Sequence, residues 1–87
     1  MPQAEVMEIS ISSHATRQIK KLPPDVRQQV KAAIDSLASW PNVEKVKRLA
    51  NRDDYRLRVG QYRVIFVVVG TVIGVTEVLF RNERTYA

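Results

Sequence analysis

Two runs of strand-forming residues joined by a glycine turn constrain the fold of this chain most strongly. Residues 55–59 alternate apolar and arginine side chains, and Tyr62–Val69 is rich in valine, isoleucine and aromatic residues. Gly60-Gln61 lies between them and has the length and the leading glycine of a type I′ or II′ hairpin turn. A second turn at Gly70-Thr71 precedes another strand pattern, Val72–Phe80. The C-terminal half is therefore predicted to form three consecutive strands.

The N-terminal half carries one strand pattern followed by two helical patterns. Residues 6–11 alternate as a short strand does, and Ser12-Ser13 can cap the helix that follows. Pro23-Pro24 ends the first helix and begins the second, which is predicted to run to Trp40 because Pro41 stops it. The residues at helical spacing are Ala15, Ile19 and Leu22 in the first helix, and Val26, Val30, Ala33, Ile34 and Leu37 in the second.

The order of these elements is strand, helix, helix, then three strands, which indicates an α+β fold. We expect the helical hairpin to pack on one face of a mostly antiparallel twisted sheet. The chain has 87 residues, so residues 1–87 are predicted to form a single domain.

Composition excludes several classes of protein. The chain has no cysteine and a single histidine, so we expect no disulfide, no protein-built metal site and no cofactor. The longest nearly apolar run, residues 64–75, falls short of the roughly 20 residues that a membrane helix needs. The N-terminus lacks the pattern of a signal peptide. These features predict a soluble cytoplasmic protein that does not bind a membrane.

Positive charge is concentrated in the second half of the chain. The net charge is +5, from 14 Lys and Arg residues against 9 Asp and Glu residues. Residues 1–44 are neutral overall, so the whole excess lies in residues 45–87. Its densest part contains Lys45, Lys47, Arg48, Arg52, Arg56, Arg58 and Arg63. A basic concentration of this kind attracts polyanions, with nucleic acid as the leading candidate.

The hairpin register predicts a cluster of arginines. If Gly60-Gln61 are the two turn residues, Arg58 lies opposite Arg63, and Arg56 shares their face of the sheet. Like charges at directly opposed positions destabilise a strand pair, so an anion that neutralises them is the simplest reason to keep all three. The arginine fork suits phosphate. The alternative is that the three side chains extend into water or pair with Asp53, Asp54 or Glu77.

The hairpin and its flanks resemble the RelE toxins of the RelE/ParE superfamily. The resemblance rests on residues 55–66, on the preceding Lys47-Arg48-Leu49, and on the arginine and tyrosine of the tail at residues 81–86. It implies the toxin of a type II toxin–antitoxin pair. RelE-type members are endoribonucleases that cut mRNA on the ribosome by attack of a ribose 2′-OH on the adjacent phosphate. The implied partners are an antitoxin, mRNA and the ribosome, and operator DNA only through the antitoxin complex.

The resemblance also assigns roles to individual residues. The catalytic set that it implies is Arg56, Arg58, Arg63, Arg81 and Tyr86, with Arg84 as a rival for the position of Arg81. Arginine remains protonated and does not serve as a base, so Tyr86 is the tail residue that could accept a proton or stack on a base. The basic residues expected to bind RNA are Lys45, Lys47, Arg48, Arg52 and Arg84. His14 lies near a predicted helix start and is not expected to take part.

Two other functions are compatible with the same sequence. ParE-type proteins share the fold and poison DNA gyrase, although those with a longer helical hairpin fit this chain less well. A plain RNA-binding module would show salt-sensitive affinity for RNA and no effect on growth.

Overall fold

The computed structural model describes residues 7–49 and 54–80. Its elements in chain order are β1 (Glu8–Ile11), α1 (Ser13–Lys20), α2 (Pro24–Ser36), a 3₁₀ turn (Leu37–Ser39), β2 (Val46–Arg48), β3 (Asp54–Val59), β4 (Tyr62–Val69) and β5 (Val72–Phe80). The five strands form one sheet in the order β1-β5-β4-β3-β2. β1 runs parallel to β5, and the other neighbouring strands are antiparallel. The predicted α+β class is confirmed.

Two features differ from the sequence-based prediction. β2 was not predicted, and it adds a fifth strand at the edge next to β3. The second helix was predicted to reach Trp40, but α2 ends at Ser36 and continues only as the 3₁₀ turn. The helix starts agree with their sequence signals: the Ser12 hydroxyl accepts a hydrogen bond from the Ala15 N–H at 3.0 Å, and Pro24 is the first residue of α2.

Both helices lie on one face of the sheet and cover its apolar side chains. Ala15 of α1 and Val30 and Ile34 of α2 are buried in one cluster with Val64 and Phe66 of β4. Three aromatic rings also pack together at this core. The ring centroids of Trp40, Tyr55 and Phe66 lie 4.8 to 5.6 Å apart. These ring contacts join β3 and β4 to the segment that follows α2.

α1 also completes the edge of β5. β1 pairs only with residues 72–75 of β5, so the following backbone groups of β5 have no strand partner on that side. The Ser12 hydroxyl donates to the Thr76 carbonyl at 3.2 Å, and the Val78 N–H donates to Gln18 Oε1 at 2.6 Å. The cap residue Ser12 and Gln18 of α1 thereby supply partners where no strand is paired. Within the part of the chain that the structure covers, no helix is long and apolar enough to cross a bilayer.

Candidate functional site: a cationic hairpin

The β3–β4 hairpin has the predicted register. Arg58 lies opposite Arg63, Leu57 opposite Val64 and Val59 opposite Tyr62. The turn consists of Gly60 and Gln61, and Gly60 has φ +57°, a value that glycine adopts without steric cost. The two-residue turn on which the predicted arginine cluster depends is therefore present.

This register separates apolar and cationic side chains onto opposite faces of the hairpin. Leu57 and Val64 are buried under the helices. Because side chains alternate along a strand, Arg56, Arg58 and Arg63 project from the other face. Arg58 is exposed, whereas Arg56 and Arg63 are half-buried. The fold thus brings three guanidinium groups together on the side of the sheet away from the helices.

The described carboxylates do not neutralise these arginines. Asp54 and Glu77 occupy the same face by register. Within residues 7–49 and 54–80, however, none of the three guanidinium groups takes part in an ion pair or a hydrogen bond. Ile65 separates Arg56 from Glu77 in the cross-strand row and is only 1% exposed. The described residues do not show the alternative pairing with Asp54 or Glu77, and Asp53 lies outside them.

β2 extends the cationic surface by two lysines. Lys47 lies opposite Arg56 in the β2–β3 pairing and therefore shares the arginine face. Lys45 lies just before β2, and its carbonyl accepts a hydrogen bond from the Arg58 N–H at 3.0 Å. We call Lys45, Lys47, Arg56, Arg58 and Arg63 the cationic face from here on.

Two shallow depressions lie on the cationic face, one on each side of β3. The first has a volume of about 200 Å³ and is lined by Arg56, Arg58, Gly60, Tyr62 and Arg63. The second has a volume of about 300 Å³ and is lined by Lys45, Val46, Lys47, Arg56 and Arg58. Either depression is suited in charge and in size to an anionic group such as phosphate.

Arg48 and His14 lie away from the cationic face. Arg48 pairs with Tyr55, which packs in the aromatic core, so the register places Arg48 on the helix side of the sheet. His14 is exposed on α1, and its Nε2 atom lies 3.8 Å from Glu77 Oε2. The predictions for Arg52, Arg81, Arg84 and Tyr86 lie outside the described residues.

Sequence reasoning did not single out Tyr62, although it lines the first depression next to Arg63. Its position immediately after the glycine turn was the available signal. Its ring packs against Phe80 with a centroid distance of 5.2 Å. In the described ranges, 7–49 and 54–80, no group of three histidine or carboxylate side chains could hold a metal ion.

Fold and site together define a class of small α+β proteins in which a helical hairpin packs on a sheet whose other face carries a cationic β-hairpin. Solved structures identify the class further. A chain of the archaeal RelE–RelB complex from Pyrococcus horikoshii superposes with a TM-score of 0.78 at 27% identity, covering 90% of this chain and 98% of that chain. A chain of the intact E. coli RelBE toxin–antitoxin complex superposes with a TM-score of 0.71 at 27% identity, covering 90% and 99%.

A more distant structure shares the fold. YoeB from Staphylococcus aureus, solved as a dimer, has a TM-score of 0.67 at 14% identity over 85% of this chain and 95% of that chain. No family model and no curated protein sequence matches the chain. The chain therefore has the fold of RelE-type toxins, and the predicted resemblance to them is confirmed by these structural neighbours.

Proposed function

We propose that this protein is the toxin of a type II toxin–antitoxin module and that it stops translation by cutting mRNA on the ribosome. The observation that carries the proposal is the group of three arginines, Arg56, Arg58 and Arg63, on one face of a RelE fold; among the described residues, no carboxylate pairs with them. The solved relatives include a RelE–RelB complex and a RelBE toxin–antitoxin complex, which supports a toxin role and an antitoxin partner for this chain.

The proposed reaction is an internal transfer within the RNA chain. The ribose 2′-oxygen attacks the adjacent phosphorus, the bond from phosphorus to the 5′-oxygen breaks, and a 2′,3′-cyclic phosphate and a 5′-hydroxyl result. One proton leaves the 2′-OH and one proton is delivered to the departing 5′-oxygen. The substrate supplies its own nucleophile, so the protein has to position the chain and stabilise the charge that develops on the phosphate.

Each arginine of the cluster has a proposed part in this reaction. Arg63 is half-buried in the lining of the first depression, and we assign it to the charge that grows on the phosphate oxygens. Arg56 and Arg58 orient the same phosphate from β3. Loss of one such donor typically lowers the rate by about 10²–10³-fold. Arg81 and Tyr86, which lie outside the described residues, are proposed as a further charge donor and as the proton acceptor or stacking group.

The antitoxin is proposed to present an acidic, partly helical segment. A groove of about 500 Å³ lies between α2, the segment that precedes β2, and the C-terminal end of β3. Its lining includes Ala33, Val43 and Leu57 as well as Lys45 and Arg58. Apolar contacts with cations along one rim suit an amphipathic segment with carboxylates on one side. Operator DNA would be bound through that complex, and the proposed location is the cytoplasm.

Induced expression in bacterial cells tests the proposal directly. We expect the wild-type chain to arrest growth and to produce new 5′ ends within codons of translated messages, detected by primer extension. Arg63→Ala should reduce this cleavage about 100-fold or more. Arg17→Ala, which removes an equal charge from α1, should behave as wild type.

Two results would refute the proposal. Growth arrest with intact messages and inhibition of purified DNA gyrase would identify a gyrase poison instead. Binding of RNA without growth arrest or message cleavage would identify a binding module without catalysis.

A further inference from the structure

The cationic face contains two cross-strand pairs of like charge. Arg58 opposes Arg63 across β3 and β4, and Lys47 opposes Arg56 across β2 and β3. Each contact borders its own depression. The proposed reaction uses only the first of these depressions. The two lysines of the second are expected to bind RNA, but no particular phosphate has been assigned to them.

One phosphate does not span both contacts. The two pairs are offset by one strand spacing across the sheet and by two residues along β3, which places their centres roughly 8 Å apart. Such a distance suits two phosphates of one extended strand. Arg56 and Arg58 line both depressions, so a chain that passes from one to the other would remain in contact with arginine.

We propose that the depression between β2 and β3 is a second phosphate subsite, which holds a phosphate next to the scissile one. This inference rests on the proposed function and adds to it the number of RNA phosphates that the protein binds. Lys45 and Lys47 line this depression but not the first one, so their charges distinguish the two subsites. The backbone hydrogen bond from the Arg58 N–H to the Lys45 carbonyl holds Lys45 beside β3.

Nucleic acid fits this subsite better than an acidic protein segment. The lining contains four cations and one apolar residue, Val46, and no carboxylate or amide side chain. The apolar contacts that an amphipathic peptide would need are instead in the groove beside α2. Regularly spaced charges with little apolar contact are the pattern of a phosphate backbone.

Binding of short, uncleavable RNA tests the subsite. The ligands are 2′-O-methyl oligonucleotides, a dinucleotide with one internal phosphate and a trinucleotide with two, measured by competition against a labelled longer oligonucleotide. For the wild-type chain we expect the second phosphate to increase affinity roughly tenfold at low salt. It should also steepen the dependence of log K on log salt by about 0.7.

The variants separate the two subsites. Lys45→Gln/Lys47→Gln should abolish the gain from the second phosphate while the dinucleotide still binds. Lys20→Gln/Lys31→Gln makes the same change in net charge on the exposed surfaces of α1 and α2 and should keep the full gain. Arg63→Gln should weaken both ligands. Equal urea midpoints for the two lysine double variants would show that both are folded.

Each alternative outcome has a distinct meaning. If Lys45→Gln/Lys47→Gln retains the gain while Arg63→Gln weakens both ligands, the second subsite is wrong and the proposed function stands. If Lys45→Gln/Lys47→Gln keeps the gain in affinity from the second phosphate but loses affinity for a polyglutamate peptide, the depression binds a protein partner. That result would overturn the inference. If the wild-type chain binds neither ligand, the proposed function fails together with the inference.

Discussion

Arg58 and Arg63 occupy directly opposed positions in the antiparallel β3–β4 hairpin, so two positive charges share one cross-strand site. Neither guanidinium group is paired with a carboxylate among the residues that the structure describes. We expect this arrangement to cost stability in the free protein, and an anion bound against the two arginines would offset that cost. Stability and function are therefore expected to respond in opposite directions to substitutions at this site.

Removal of one opposing charge should stabilise the free protein. We expect Arg58→Gln to raise the free energy of unfolding by up to about 1 kcal/mol at low salt, measured by urea denaturation. The gain should shrink at 1 M salt because salt screens exposed charges. Arg17→Gln removes a charge from α1 and should give no comparable gain. Equal or lower stability of Arg58→Gln at low salt would show that the two arginines do not repel each other.

The glycine of the hairpin turn should be replaceable only at a conformational cost. Gly60 has φ +57°, and a Cβ atom added there would meet no atom within 4 Å. Gly60→Ala should therefore lose about 1 kcal/mol of unfolding free energy through backbone strain alone. Gly60→Asn is the matched variant and should lose less, because asparagine tolerates the left-handed region. Equal losses for the two variants would point to a steric cause instead.

The aromatic core should dominate the stability of the β3–β4 hairpin. Phe66 is fully buried and contacts the rings of Trp40 and Tyr55. Phe66→Ala is expected to lower the free energy of unfolding by about 3–5 kcal/mol, measured in urea. Val69→Ala on the same strand should change it by less than about 0.5 kcal/mol, because Val69 is 70% exposed. Similar losses for both variants would contradict this packing.

The hydrogen bond between α1 and β5 should contribute measurably to the free energy of unfolding. Gln18 Oε1 accepts from the Val78 N–H at 2.6 Å in a half-buried position. Gln18→Ala is expected to cost about 1 kcal/mol in thermal or urea unfolding and to speed hydrogen exchange at Val78. Gln28→Ala, at an exposed position of α2, is the control and should leave both measurements unchanged. Unaltered exchange at Val78 in Gln18→Ala would show that the bond does not protect the edge of β5.

The sequence predicted the parts of the fold that local chemistry determines. Gly60-Gln61 specified the turn, and the alternation around it specified which side chains share a face, so the opposition of Arg58 and Arg63 followed from spacing alone. β2 was missed because Val46–Arg48 has three residues and one apolar side chain. It becomes a strand through its pairing with β3, a tertiary contact that no local pattern encodes.

For the basic residues that precede β3, the sequence predicted a group that is close in the chain, but not which face of the sheet each of them occupies. The sequence suggested Lys45, Lys47 and Arg48 as a group because they are close in the chain. Pairing with β3 then places Lys47 on the cationic face and Arg48 on the helix side. The early end of α2 was also not predicted, because Leu37–Ser39 keeps the apolar stripe and tightens into a 3₁₀ turn only where Trp40 packs on Tyr55.

The arginine side-chain resonances give the most direct test of the central claim that the hairpin holds RNA phosphates. The measurement is an NMR titration of the Nε–Hε signals with the uncleavable 2′-O-methyl trinucleotide. We predict that the signals of Arg56, Arg58 and Arg63 shift together, whereas Arg27, which donates to the Leu22 carbonyl at 3.2 Å on the helix side, does not move. Unchanged signals for the three hairpin arginines in a complex that forms would contradict the account.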